Sequence, residues 1–107
     1  MYFEKVNITA KDQALVCEVP TRGGAATVLI TGTFTAVLQF EASVDGTTYS
    51  SVAAYPVAGG ASVTATTNTA GCWQIKAGGF RFVQVRCSAY TSGTAATTIN
   101  ATEGVFG

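Results

Sequence analysis

The sequence predicts an all-β protein, an antiparallel β-sandwich of the jelly-roll or Ig-like kind with about eight to nine short strands. Short runs rich in Val, Ile, Thr, Phe and Tyr are separated by Gly-rich breaks roughly every 8–12 residues. No window has the period of an α-helix, and the helix formers Leu, Glu, Lys and Arg are scarce. The length of 107 residues fits one domain, residues 1–107, with a core of its own.

The runs predict nine strands, which we expect at residues 2–9, 14–19, 26–31, 35–44, 49–57, 62–67, 71–76, 80–90 and 94–102. Each run ends where Gly, Pro, Asn or Asp interrupts the β-branched and aromatic residues, because these four residue types fit turns better than pleated strands. Two sheets packed face to face would bury the apolar side of every strand at once, and this favours a sandwich.

The predicted strands at 35–44 and 80–90 have the clearest alternation. In the first, one side carries Leu38, Phe40, Ala42 and Val44, and the other carries Gln39, Glu41 and Ser43. In the second, one side carries Val83, Val85, Cys87 and Ala89, and the other carries Gln84, Arg86 and Ser88. A period of two with one apolar side is typical of a half-buried strand. Cys87 is therefore predicted to lie in the core.

The strand at 71–76 places Trp73 and Ile75 on the side opposite Cys72, which predicts a buried Trp73 and an exposed Cys72. The chain has three widely spaced cysteines, at positions 17, 72 and 87, and no His, so neither a zinc site nor any other cofactor site is expected. In a reducing compartment the cysteines are predicted to be small apolar core residues. A disulfide within the chain, or to a neighbouring subunit, is the alternative.

The segment FEASVDGTTYS, residues 40–50, contains an Asp-Gly pair between two strand-like runs. A calcium loop needs roughly six to eight oxygen ligands, usually from several carboxylates, and the tip of this segment offers only Asp45. Asp-Gly between alternating strands is instead a strong signal for a hairpin. We expect a tight turn at Asp45-Gly46, with Tyr49 at the start of the returning strand, and no metal site.

Charged residues make up 11% of the chain and the net charge is zero, so no nucleic-acid partner is expected. No apolar run reaches the ~20 residues that cross a membrane, and the start, MYFEKVNITAKD, lacks the features of a signal peptide. We therefore expect a protein that folds in a cytoplasm and has no membrane partner. Without His, a P-loop, a GxSxG motif or paired carboxylates, it is not expected to be an enzyme.

Four motifs occur together within residues 32–99: the GTF at 32–34, the Phe40-Glu41 strand leading into Asp45-Gly46, the strand containing Trp73, and the run from Val85 to Gly93 that ends SAYTSG. Together they resemble a small β-sandwich module that recurs in virion structural proteins of tailed bacteriophages. That module usually has Trp after the DGTT turn, where this chain has Tyr49. The first 25 residues lie outside the resemblance.

Modules of this kind occur in head-decoration, tail and fibre-associated proteins. The resemblance implies a non-enzymatic virion protein, assembled in the host cytoplasm, and most specifically a capsid decoration or cement protein that stabilises the head shell. Its implied partners are other virion proteins, above all the major capsid protein, and copies of itself in a homo-oligomer such as a trimer. The alternative is a tail or fibre-associated adhesin that binds a host surface glycan through Tyr49, Tyr55 and Tyr90.

Both ends of the sequence are apolar, whereas terminal segments without a role are usually polar. Tyr2 and Phe3 lie near one end, and Val105 and Phe106 lie near the other. We expect residues 1–12 and 103–107 to be short docking segments in which these four side chains contact a partner.

Overall fold

The computed structural model describes residues 3–20 and 23–103, which form ten β-strands and no helix. The strands are β1 (Phe3–Ile8), β2 (Ala14–Glu18), β3 (Gly23–Thr31), β4 (Phe34–Ser43), β5 (Ser50–Ser51), β6 (Ala54–Pro56), β7 (Ala65–Thr67), β8 (Gly71–Lys76), β9 (Phe82–Gly93) and β10 (Ala95–Glu103). The predicted all-β class is confirmed. These two ranges accordingly contain no helix that could span a membrane.

The strands form two antiparallel sheets that pack face to face. The first sheet has the order β1-β10-β3-β8-β6, and the second has the order β2-β9-β4-β5, with β7 also paired to β4. Apart from the short β6 and β7, every connection crosses from one sheet to the other except the hairpin between β4 and β5. The orders 1-10-3-8 and 2-9-4-5 are those of a jelly roll. The structure thus selects the jelly roll from the two kinds of sandwich that the sequence allows.

The core lies between the sheets and is made by the inward side of each strand. At its centre the rings of Phe40, from the second sheet, and Trp73, from the first, lie with centroids 5.3 Å apart. Side chains that are essentially inaccessible surround this pair: Ile8, Cys17, Val28, Ile30, Leu38, Ile75, Val83, Val85, Cys87 and Ile99. The predicted burial of Trp73 and Cys87 is confirmed.

Two residues that the alternation assigned to the core lie outside it. Val44 is 63% exposed because β4 ends at Ser43 and the chain bends away there. Ala89 is exposed because β9 carries an extra residue opposite β4 at Ser88, which shifts the alternation by one position. A bulge of this kind leaves no reliable trace in the hydrophobic pattern of one strand.

The predicted strand at 49–57 is wrong in that it consists of two short strands in different sheets. β5 pairs with β4 in the second sheet, and β6 pairs with β8 in the first. Between them the chain crosses the edge of the sandwich at Val52, whose N–H donates to the Phe40 carbonyl (3.0 Å). The predicted strand at 62–67 is reduced to β7, because Val63 turns towards β6 and forms a bridge with Ala54.

The three cysteines are free thiols, with Cys17 and Cys87 buried and Cys72 partly exposed. Cys17 lies opposite Val83 on the neighbouring strand. Because Cys87 is four residues further along that strand, the two thiols are separated by roughly 13 Å, too far for a disulfide. Cys72 points outward from the other sheet, so the core prediction holds for two of the three cysteines.

A thiol reagent should distinguish Cys72 from the other two cysteines. In the native protein we expect Cys72 to react quickly, while Cys17 and Cys87 react only on unfolding, because burial raises the pKa of both thiols and blocks access. The measurement counts modified thiols by mass spectrometry before and after denaturant is added. Cys72→Ser should abolish the fast reaction. Rapid labelling of Cys87 in the native protein would contradict the position of its side chain.

Gly93→Ala should destabilise the protein more than Gly59→Ala. Both glycines have positive φ, 90° and 104°, so both substitutions carry a backbone penalty of about 1–2 kcal/mol. A Cβ at Gly93 would lie 2.3 Å from the carbonyl oxygen of Thr33, whereas one at Gly59 would meet nothing within 4 Å. We expect the contact to add about 2 kcal/mol to the loss at Gly93, measured by urea unfolding. Equal losses for the two variants would argue against this close approach.

Candidate interaction surface

The outer side of the first sheet presents an extended surface with little charge. In β8 the alternation buries Trp73 and Ile75 and turns Cys72, Gln74 and Lys76 outward. The residues paired with these across the sheet lie on the same side. We call this surface the first-sheet face, and its principal side chains are Phe3, Lys5, Thr27, Leu29, Tyr55, Val57, Cys72, Gln74, Lys76, Thr98 and Asn100.

The first-sheet face carries most of the exposed large apolar side chains. Six such side chains are exposed among the described residues, and four of them, Phe3, Leu29, Tyr55 and Val57, belong to this face. Its described charged side chains are Lys5 and Lys76, and the Lys76 ammonium lies 5.6 Å from the centre of the Tyr55 ring. A surface with apolar side chains and few charges suits contact with another protein.

An apolar groove opens at the β6 edge of this face, where the chain leaving β6 diverges from the chain entering β8. The groove encloses about 470 Å³ and is lined by Pro56, Val57, Ala58, Thr69, Ala70, Gly71, Cys72 and Trp73. Gly71 lets the Trp73 ring lie close to the backbone at this place, because a Cβ at Gly71 would lie 3.0 Å from that ring. The groove is large enough for an apolar side chain or a small ligand.

The outer side of the second sheet is organised differently, by a polar cluster. Glu41 is 8% exposed and receives hydrogen bonds from Arg86 Nε (3.1 Å), Arg86 Nη2 (3.1 Å) and Gln84 Nε2 (2.6 Å). The hydrogen bond from Arg86 holds the pKa of the Glu41 carboxyl below its ordinary value. This carboxylate is committed to linking β4 and β9, so it serves the sheet rather than a ligand.

The predicted tight turn at Asp45-Gly46 is wrong, because pairing of Ala42 with Ser50 leaves residues 43–49 in a wider loop. The carboxylate of Asp45 organises this loop by accepting from the N–H groups of Thr47 (2.8 Å) and Thr48 (2.9 Å) and from the Ser43 hydroxyl (2.9 Å). These hydrogen bonds lower the pKa of Asp45. In the described residues, no three His, Cys, Asp or Glu side chains are grouped as metal ligands.

The three tyrosines proposed for glycan contact lie on separate parts of the molecule. Tyr49 is half-buried and is the last residue of the 43–49 loop of the second sheet, and Tyr55 lies on the first-sheet face. Tyr90 packs against the core, and its hydroxyl donates to the Gly93 carbonyl (2.7 Å) near the other end of the second sheet. The fold therefore does not bring them together into one aromatic platform.

Of the four residues predicted to contact a partner, only Phe3 belongs to the described part of the chain. Its side chain is 51% exposed at the β1 edge of the first-sheet face. Tyr2, Val105 and Phe106 lie outside the described residues. Sequence reasoning missed Leu29, although it interrupts the pattern: it is a large apolar residue on the side opposite the buried Val28 and Ile30.

The fold has two close structural matches among solved proteins. SPBc2 prophage-derived protein YomS superimposes with a TM-score of 0.69 at 16% identity, covering 95% of this chain and 96% of YomS. PBSX exported protein XepA gives a TM-score of 0.74 at 13% identity, covering 94% of this chain but 38% of XepA. At these identities the likeness establishes a shared fold. The sequence matches no protein-family model and has no significant match among curated proteins.

Arg86→Ala should lower the free energy of unfolding at neutral pH by about 1–3 kcal/mol, because it removes two of the hydrogen bonds to a nearly buried carboxylate. The pKa of Glu41 is lowered in the folded protein, so its stabilisation is complete above the unfolded value of about 4.3 and disappears as the pH falls through the folded value. The difference between wild type and Arg86→Ala should therefore be largest above about pH 5 and shrink as the pH falls through the lowered pKa of Glu41.

Urea unfolding at a series of pH values measures this difference, with Lys11→Ala, a change of an exposed cation between β1 and β2, as the control. Lys11→Ala should change stability by less than about 0.5 kcal/mol at every pH. A loss for Arg86→Ala that does not vary with pH would mean that Arg86 acts by packing and not through the Glu41 carboxylate.

Proposed function

We propose that this chain is a non-enzymatic structural protein of a tailed-phage virion, and specifically a decoration or cement protein on the head shell. The observation that carries the proposal is the first-sheet face, on which four exposed apolar side chains lie among few charges. Attachment would occur by burial of this face on other virion proteins, chiefly the major capsid protein. The proposed location is the virion, after assembly in the host cytoplasm.

The structural matches support a phage origin for the fold. YomS is a prophage-derived protein that matches this chain over 96% of its length, and XepA is a PBSX exported protein of which this chain matches 38%. The motifs within residues 32–99 point in the same direction, since they resemble a virion module. These lines of support concern the class of protein, and the decoration role rests on the first-sheet face.

The free energy gained by burying these four side chains indicates how tightly one copy could attach. Each of the four apolar side chains is about half exposed, so covering it contributes about 1 kcal/mol. The sum, roughly 4 kcal/mol, is comparable with the lower estimates of what association costs in lost rigid-body freedom, 4–15 kcal/mol. A single copy with only these contacts would bind weakly. Attachment through several joined copies would raise the apparent affinity without any new contact.

The adhesin alternative would be favoured by exposed aromatic side chains gathered at one end of the sandwich. Tyr49, Tyr55 and Tyr90 lie on separate surfaces, so this observation does not favour it. The similarity to XepA suggests a second candidate, a phage protein that is released from the cell. The two candidates differ in where the protein is found after lysis. A decoration protein is recovered with purified particles, whereas a released protein is free in the medium.

Leu29→Arg should weaken attachment to the particle at least tenfold, whereas Val16→Arg should leave it unchanged. The two residues are matched, since both are aliphatic, lie in strands and are 45% and 42% exposed, but Val16 lies on the second sheet. A charge at the centre of a buried contact costs more than the 1.4 kcal/mol that corresponds to a factor of ten. The measurement is co-sedimentation of each purified variant with particles assembled without this protein.

Melting curves of both variants establish that each one folds. A third variant lacks residues 1–3. If the chain ends dock onto a partner, as the sequence predicts, this deletion should weaken attachment while the sandwich stays folded. Failure of the wild-type protein to co-sediment, together with its recovery from the medium, would refute the decoration role and favour release. If Leu29→Arg and Val16→Arg weaken attachment equally, the contact does not lie specifically on the first-sheet face.

A further inference from the structure

We propose that the first-sheet face attaches to an acidic protein surface, which meets Lys5 with a carboxylate and covers Phe3 and Leu29 with an apolar patch. This inference rests on the proposed function, because it takes the first-sheet face as the attachment surface. It deepens that function by stating the chemistry of the partner. Lys5 is then the residue that selects the partner by charge.

The charges of the first-sheet face are of one sign. The whole chain is neutral, with six basic and six acidic residues, but the described charged side chains of this face are the cations Lys5 and Lys76. The described carboxylates lie on the inner side of β1, in the turn between β1 and β2, on the outer side of the second sheet and in its 43–49 loop: Glu4, Asp12, Glu18, Glu41 and Asp45. A surface of one sign attracts a surface of the opposite sign and repels one of its own sign. The face therefore favours an acidic partner over a basic one.

Lys5 lies close to two of the exposed apolar side chains of the face. The alternation along β1 turns Phe3 and Lys5 to the same side, about 7 Å apart. The register places Lys5 opposite Thr98 and Thr98 opposite Leu29, so Lys5 and Leu29 are two strand spacings, about 10 Å, apart. A partner that covers both Phe3 and Leu29 therefore also lies against the side chain of Lys5.

Lys5 forms no ion pair with any carboxylate in the described part of the chain. Lys76 differs, because its ammonium lies 5.6 Å from the centre of the Tyr55 ring and so has a partner within the face. A contact that covers Phe3 and Leu29 also removes water from the Lys5 ammonium, and this loss is unfavourable unless a carboxylate replaces the water. The partner surface is therefore expected to supply that carboxylate.

A protein partner suits this face better than a membrane with anionic lipids. Recognition of anionic lipid relies on clusters of roughly four to eight basic residues, whereas the described part of this face has two lysines. Among its apolar side chains the face also carries Thr27, Gln74 and Asn100, whose polar groups need hydrogen-bond partners when they are covered. A protein surface supplies such partners, and acyl chains do not.

Reversal of the charge at Lys5 tests the inference. Lys5→Glu should raise the apparent Kd for particles assembled without this protein at least about tenfold, because it replaces attraction to a carboxylate with repulsion. Lys11→Glu is the matched control, since it changes the net charge equally at an exposed position in the turn between β1 and β2, outside the face. It should change Kd less than about twofold. Lys5→Arg keeps the charge and should bind like wild type, and melting curves establish that every variant folds.

Chemical modification of the particle tests the partner's carboxylates. Amidation of the particle surface with a neutral amine should weaken the attachment of wild type at least about tenfold and strengthen that of Lys5→Glu, because the carboxylates that attract one and repel the other are gone. Electron microscopy of the amidated particles checks that they stay intact. Raising the salt concentration from about 0.05 M to about 0.5 M should weaken the attachment of wild type and not that of Lys5→Glu, because salt screens both interactions.

The native thiol of Cys72 reports whether the first-sheet face is covered. Cys72 lies opposite Leu29 on the neighbouring strand and is partly exposed. Binding to particles should therefore slow its reaction with a thiol reagent. An equal Kd for wild type and Lys5→Glu, with Cys72 protected by the particle, would overturn this inference and leave the proposed function standing.

Two results would refute attachment through this face, and the inference would fall with it. They are failure of the wild-type protein to bind particles, and a Cys72 thiol that reacts equally fast in the bound and the free protein. Vesicles of phosphatidylserine and phosphatidylcholine form the last arm, and wild type should not co-sediment with them. Tighter binding to these vesicles than to particles would overturn the assignment of a protein partner.

Discussion

The packing of Phe40 against Trp73 is the contact on which the rest of the structure depends. The two rings come from different sheets, lie with centroids 5.3 Å apart and are inclined by 48°. Large aromatic side chains dominate the energetics of a core, and here they fix the separation and the facing sides of the two sheets. Once those sides are fixed, the period of two decides which residues of every paired strand point to solvent.

The two outward sides that result are chemically different. On the second sheet, Arg86 and Gln84 satisfy the nearly buried carboxylate of Glu41, so polar side chains tie neighbouring strands together. On the first sheet, Leu29 and Val57 are large, apolar and exposed, and no described residue of this chain covers them. An exposed apolar surface such as that of the first sheet favours aggregation. Its presence is most simply explained by a partner that covers it.

Sequence reasoning succeeded where local pattern determines structure and failed where the outcome depends on distant strands. The alternation around Phe40 and Cys87 correctly predicted a sandwich and the burial of both residues, although it also assigned Val44 and Ala89 to the core. The crossing at Val52 and the bulge at Ser88 depend on which strands lie opposite. The sequence of a single strand does not show which strand will pair with it. The groove was also invisible, because it forms between the chain leaving β6 and the chain entering β8. Of the first-sheet face, the sequence indicated Phe3 as a contact residue, and the apolar Leu29 between Val28 and Ile30 was a sign that went unused.

The central claim is that the outer side of the first sheet is the surface through which this protein works. A cryo-electron microscopy reconstruction of the intact particle, at a resolution that separates the two sheets, tests it most directly. The account predicts density for this jelly roll on the head, with Leu29 and Tyr55 turned towards the shell. Density in which the side bearing Glu41 and Arg86 faces the shell would contradict it, as would a particle that lacks the protein altogether.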